Sequence, residues 1–217
     1  MSIELIPPVV KTGFKRLMSP LVRLCVRLHL NPNWLTTVSF FLSFLSAVSF
    51  AHGALVRGAL LFLISGLFDL FDGSVARASN RVTKFGALYD STLDRYAEIM
   101  VYIGIGCHFV GKVGQGVAET QQSILLVFVG LAGSLMVSYI RARAEGLDFE
   151  CKVGMMQRPE RIVLLSVGAL ISEQWLIYMI VVIAVFSNLT ALQRLAHIWR
   201  VEKEKRWIKA PSDIYHE

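Results

Sequence analysis

Four aspartates lie among residues apolar enough to belong in a bilayer: Asp69 and Asp72, then Asp90 and Asp94. The run reads Asp69-x-x-Asp72-Gly73-x-x-Ala76-Arg77, eight residues, then Gly86-x-x-x-Asp90-x-x-x-Asp94, between the apolar stretches ALLFLISGLF and IMVYIGIG. A carboxylate at the bilayer centre costs ~2.5–3.5 kcal/mol even on the mildest scale, so four cost on the order of 10 kcal/mol unless cations and a polar cavity neutralise them. Spacings of three and four put each pair on one face of a helix. Oxygen-only ligands select hard cations such as Mg²⁺, Mn²⁺ or Ca²⁺ over zinc. Four carboxylates exceed what one Mg²⁺ takes from protein, because it keeps water and substrate phosphate, whereas two ions ~3.5–4 Å apart would employ them all. Arg77, just beyond Asp72, can grip a phosphate in bidentate fashion, and Gly73, Ala76 and Gly86 leave room for close approach. The set points to metal-assisted diphosphate chemistry at a membrane surface. Spacing alone leaves two other readings open: a cation or proton path through a transporter, and helix-end or interfacial acids with a purely structural task.

The elements that must position these residues are helices in a membrane. The chain has 217 residues, 54% of them hydrophobic, above the share usual for a soluble domain, and its apolar runs recur at about the 20 residues that cross a ~30 Å core. We read an all-α integral membrane protein of six transmembrane helices, roughly 34–52, 57–78, 86–109, 122–141, 160–172 and 175–196, the fifth short enough to be tilted or partly interfacial. An N-terminal segment, 1–33, precedes the helical domain of 34–197, and a basic tail, 198–217, follows it. Within 8–30, Val10, Phe14, Leu17, Leu21, Leu24 and Leu28 mark one face of a helix, with Lys11, Lys15, Arg16, Arg23 and Arg27 interleaved. That is an amphipathic helix lying in the interface, with a kink expected at Pro20. The opening MSIELIPPVV has no basic-then-apolar leader pattern, so no cleavable signal peptide is expected. The connection 79–85 is short enough to make the second and third spans antiparallel neighbours, which brings all four carboxylates to one mouth.

Basic residues orient the bundle. Of 22 Lys and Arg, only Arg57 and Lys112 fall on one side of this topology. The asymmetry puts both termini and the aspartates in the cytoplasm, at a cell membrane crossed an even number of times. For a membrane protein, the net charge of +6 reports orientation and anionic headgroups, not nucleic acid. Headgroup binding is also the reading for the tail from Arg200 to Lys209. Cys25, Cys107 and Cys151 are far apart and form no motif.

The aspartate run resembles the signature of the CDP-alcohol phosphotransferase family at every fixed position, and Pro32-Asn33-Trp34-Leu35-Thr36 is similar to the opening of the family's first span. The resemblance extends over most of the chain. It implies an enzyme that transfers the phosphatidyl group of CDP-diacylglycerol to an alcohol and releases CMP, working as a homodimer with two divalent ions, Mg²⁺ or Mn²⁺. It implies Asp69, Asp72 and Asp90 around one ion and Asp72, Asp90 and Asp94 around the other, with Asp94 as general base. Pro32, Asn33, Trp34, Leu35, Gly73, Ala76, Arg77, Thr83 and Gly86 would line the CDP-lipid pocket.

The stretch Ser138-Tyr139-Ile140-Arg141-Ala142-Arg143-Ala144-Glu145, followed by Gln157-Arg158-Pro159-Glu160-Arg161, resembles the phosphatidylinositol phosphate synthase branch of that family. Gln157 stands where the branch motif has Glu. Arginines beside an acidic site fit an acceptor that is itself a phosphate. The expected acceptor is therefore a small phosphorylated alcohol, inositol 1-phosphate, held by Arg141, Arg158 and Arg161. Glycerol 3-phosphate is the rival, and positive loop charge is the bland explanation of the same arginines.

Overall fold

The computed structural model describes residues 19–112 and 117–209. The parts of the expected amphipathic helix before residue 19, and of the tail after 209, lie outside them. All regular structure among the described residues is helical: α1 (19–27), α2 (Pro32–Ala51), α3 (Leu55–Ala78), α4 (Lys84–Val110), α5 (Val117–Glu145), α6 (Arg158–Ile171) and α7 (Glu173–Lys209). Each of the six expected apolar segments is a helix. Leu21 and Leu24 on α1, and Leu28 in the turn after it, stay exposed, an apolar face suited to lipid.

Four helices, α2, α3, α5 and α7, are long and apolar enough to cross a membrane. The other two fall short for different reasons. The α4 helix has 27 residues but carries Lys84, Asp90, Asp94, Arg95 and Glu98, so its first half is charged. The α6 helix has only 14 residues, about 21 Å at 1.5 Å per residue, against a core of ~30 Å.

Small residues decide which helices pack. A buried stripe of Thr36, Ser39, Ser43 and Ser46 runs down α2. Ser39 and Ser43 bond to Ser65, at 2.9 Å to its carbonyl and 2.6 Å to its hydroxyl, and Ser46 donates to the Gly58 carbonyl at 2.7 Å. These short side chains let α2 and α3 approach closely. Another face of α2 meets α4 backbone to backbone: a Cβ on Gly104 would fall 2.2 Å from the Ala47 carbonyl oxygen. The consequence corrects an expectation. The spans that carry the aspartates are not packed neighbours: α2 lies along both α3 and α4, whereas those two hardly touch each other. A short connection limits how far two helix ends can separate, but small side chains determine where axes meet, and these face α2. The apolar core beneath the site includes Phe50, Phe62, Val101, Tyr102, Ile105, Leu165, Leu176, Ile180 and Ile183.

The break between α5 and α6 is held onto α7. Gly154 has φ +120°, and a Cβ there would fall 2.4 Å from Thr190, so only glycine allows this approach. Met156 N–H donates to Thr190 Oγ1 at 3.2 Å. The segment then delivers Gln157 and Arg158 to the mouth between α3 and α4.

Candidate active site

Asp69 and Asp72 come from the last turns of α3 and Asp90 from the second turn of α4. Carboxylate oxygens of the three lie within 4.8 Å of one another. Asp72 is buried and accepts from Thr36 Oγ1 at 2.6 Å. Asp90 Oδ1 is buried with no hydrogen-bond partner among the described residues. A buried carboxylate oxygen left without a donor is costly, and hard oxygen donors in such a cluster are what a divalent cation takes. The residues therefore fit a metal centre.

Asp94, one turn beyond Asp90, is engaged differently. A single guanidinium nitrogen, Arg158 Nη1, lies 2.5 Å from Asp94 Oδ1 and 2.6 Å from Asp69 Oδ1. Arg158 thus bridges the two helices from α6. One turn deeper, Arg161 pairs with Glu98 through Nε at 2.6 Å and Nη2 at 3.0 Å, and its Nη1 donates to the Met156 carbonyl. Arg161 is 1% exposed. Its donors serve Glu98 and the backbone, although the residue also borders the cavity beside the aspartates.

The residues expected around a CDP-lipid also assemble. Asn31 caps α2 by accepting from Asn33 N–H at 3.1 Å, with Pro32 at the first helical position, where a missing N–H costs nothing. Thr83 caps α4, accepting from Gly86 N–H at 2.9 Å. A Cβ on Gly86 would meet Thr83 Oγ1 at 3.0 Å and Asn33 Oδ1 at 3.3 Å, so glycine is what lets the starts of α2 and α4 meet. Arg77 is exposed and folds over Gly73, its Nη1 3.3 Å from where a Cβ would stand. Ala76 is half-buried in the same turn; at the start of α2 Trp34 faces outward, at 70% exposure, and Leu35 is half-buried.

A cavity of about 990 Å³ opens beside the aspartates, lined by Asp90, Asp94, Arg141, Gln157, Arg158 and Arg194 among others. Arg141 lies at its rim, paired with Glu145 at 2.8 Å. Arg194 was not singled out from the sequence. It is 3% exposed, donates from Nε to the Val153 carbonyl at 2.8 Å and from Nη1 to that of Val137. The signal was available: Arg194 falls inside the expected span 175–196, where an arginine marks function more often than a loop charge does. A second groove of about 750 Å³ at the far end, between α3 and α6, is lined by apolar side chains and Arg57 and contains no carboxylate.

Comparison with known proteins agrees with this geometry. The sequence profile of the CDP-alcohol phosphatidyltransferase family matches residues 29–201. An archaetidylinositol phosphate synthase of Methanothermobacter thermautotrophicus is 35% identical over 80% of this chain and 86% of its own. The phosphatidylinositol phosphate synthase of Mycobacterium tuberculosis is 30% identical over 89% of this chain and 91% of its own. Its crystal structure with CDP-DAG bound superposes with a TM-score of 0.74, covering 85% of this chain and 94% of that one. A second crystal structure of that enzyme, with manganese and citrate, gives 0.73 over 83% and 88%.

Proposed function

The chain belongs to the CDP-alcohol phosphatidyltransferase family, and on that premise we propose that it joins the phosphatidyl group of CDP-diacylglycerol to inositol 1-phosphate, releasing CMP. It is a multi-pass membrane enzyme, so the transporter reading of its aspartates gives way. The observation that carries the acceptor is the cavity beside Asp94 with Arg141, Arg158 and Arg194 on its wall. The guanidiniums on that wall suit an anion, and a phosphate monoester supplies it.

Divalent ions, Mg²⁺ or Mn²⁺, held by Asp69, Asp72 and Asp90, with Asp94 completing a second site, would neutralise the diphosphate and improve CMP as leaving group. Asn33, Gly73, Ala76, Arg77, Thr83 and Gly86 form the wall against which the CDP group lies, with Pro32, Trp34 and Leu35 at its edge. Asp94 accepts the proton of the acceptor hydroxyl. The freed oxygen bonds to the phosphorus that carries diacylglycerol, and the bond from that phosphorus to the oxygen of CMP breaks, its electron pair leaving with CMP. Arg158 and Arg194, with Arg141 at the rim, bind the acceptor phosphate, while Arg161 holds its place through Glu98.

Purified enzyme supplied with CDP-diacylglycerol and a panel of acceptors is expected to release CMP fastest with inositol 1-phosphate. Replacing Arg158 with Ala removes a charge-assisted bond worth ~1.5–3 kcal/mol and lowers kcat/KM for that acceptor roughly ten- to a hundredfold, while Arg158→Lys recovers part of it. Free inositol serving as well as its phosphate, or glycerol 3-phosphate serving better, would reject this acceptor.

Six spans, both termini in the cytoplasm and the site facing it complete the proposal, together with a homodimer. The near absence of basic residues from the outer connections supports this orientation. Cysteines introduced near both termini are expected to react with an impermeant reagent only after the membrane is opened. Labelling of either end in intact cells would refute the topology.

A further inference from the structure

The α2 helix contributes no acid, yet both aspartate-bearing helices are tied to it. Thr36 Oγ1 lies 2.6 Å from Asp72 Oδ2 and 3.3 Å from the Pro32 carbonyl oxygen. A hydroxyl has one proton to give, and the shorter contact, to a charged acceptor, claims it. The adjacent Thr37 Oγ1 lies 2.7 Å from the Asn33 carbonyl oxygen and 3.0 Å from Tyr89 Oη. A carbonyl only accepts, so Thr37 gives its proton to Asn33 and receives that of Tyr89. Tyr89 immediately precedes Asp90. Two consecutive threonines thus bind α3 at Asp72 and α4 beside Asp90. Since α3 and α4 hardly touch, the distance between the two halves of the carboxylate cluster is relayed through α2.

We propose that Thr36 is a positioning residue of the metal centre: its hydroxyl fixes one oxygen of Asp72 and so leaves the other oriented for the cation, while Thr37 does the matching work for α4 through Tyr89. The proposal rests on the metal reading given above. Partners that orient a metal-binding carboxylate typically govern affinity ten- to a hundredfold. The same α2 turn carries Pro32 and Asn33, so one helix start serves both the nucleotide wall and the metal cluster.

The test reads metal binding directly, on purified protein with no lipid substrate, by titrating Mn²⁺ and following its free EPR signal. Thr36→Val keeps the side-chain shape and removes the hydroxyl, and is expected to raise the Mn²⁺ dissociation constant ten- to a hundredfold. Thr36→Ser restores most of the affinity. Ser39→Ala, which deletes a buried hydroxyl from the same α2–α3 interface away from the aspartates, leaves the affinity unchanged. Should Thr36→Val fail to accumulate, Thr36→Ala carries the same titration. Equal affinity in wild type and Thr36→Val, or an equal loss in Ser39→Ala, overturns the positioning role. A wild-type protein that binds no Mn²⁺ overturns the metal reading itself, and this inference with it. CMP release in excess chelator would separately mark that failure.

Discussion

Replacing Asp90 with Asn is expected to abolish Mn²⁺ binding and to lower kcat/KM at least a thousandfold. Asp90 Oδ1 is buried and lacks a donor among the described residues, and it converges with Asp69 and Asp72 within 4.8 Å. Asparagine keeps the shape but offers one neutral oxygen in place of a delocalised charge. A metal that stabilises transition-state charge contributes several kcal/mol, and about 4 kcal/mol is already a factor of a thousand. Asp94→Asn gives the contrasting result. Asp94 stands outside the closest trio and is proposed as the base, so this variant keeps Mn²⁺ at the first site and loses turnover by roughly 10²–10⁴. Titrating Mn²⁺ and measuring CMP release on both variants separates the two roles. An Asp90→Asn enzyme that still binds Mn²⁺ with wild-type affinity would remove Asp90 from the metal centre, and full turnover in excess chelator would remove the metal altogether.

The second large effect falls on stability. Glu98 and Arg161 form a pair in which neither side chain is more than 5% exposed, and it joins α4 to α6 one turn below Arg158. Removing one partner of such a pair strands a buried charge at a cost of about 3–5 kcal/mol, whereas replacing both by apolar residues of similar size is often neutral or better. Glu98→Ala should therefore unfold far more easily than wild type, and Glu98→Leu combined with Arg161→Met should recover much of the loss. The double variant also isolates the positioning of Arg158. If Arg161 serves to hold α6, the recovered protein keeps its stability but has a raised KM for the acceptor. Thermal unfolding in detergent, read beside acceptor kinetics, measures both. A Glu98→Ala protein as stable as wild type would mean that the pair contributes nothing to the fold.

Legibility divided along the distance between interacting residues. The Asp69–Asp94 run could be read directly, because spacings of three and four on a helix determine which carboxylates share a face before any tertiary contact forms. The helices were legible for the same reason: runs of apolar residues about 20 long are a local property. The caps were not read in advance, although Asn31 and Thr83 act on backbone within three residues of themselves. Gly86 was assigned to the pocket from the motif, and the structure supplies its reason in the approach of Asn33.

What depends on one helix meeting another was not legible. The second and third spans were paired on the strength of a short connection, but the partner of each is α2, because the serine stripe and Gly104 permit an approach that α3 and α4 do not offer each other. Arg161 and Arg158 are three residues apart with the same side chain, and residue type and spacing alone do not separate them. Only the position of Glu98 opposite one, and of Asp69 and Asp94 opposite the other, separates an arginine paired within the bundle from one that meets the aspartate cluster. Arg194 did not stand out from the other basic residues until the fold buried it against two carbonyls. The chain alone thus picked out the carboxylate cluster proposed for the chemistry, a matter of residue type and local period. Tertiary packing decided which charges are spent on one another and which stay available to a substrate, because pairing is settled by distances of a few ångströms between residues 60 or more positions apart in the case of Glu98 and Arg161.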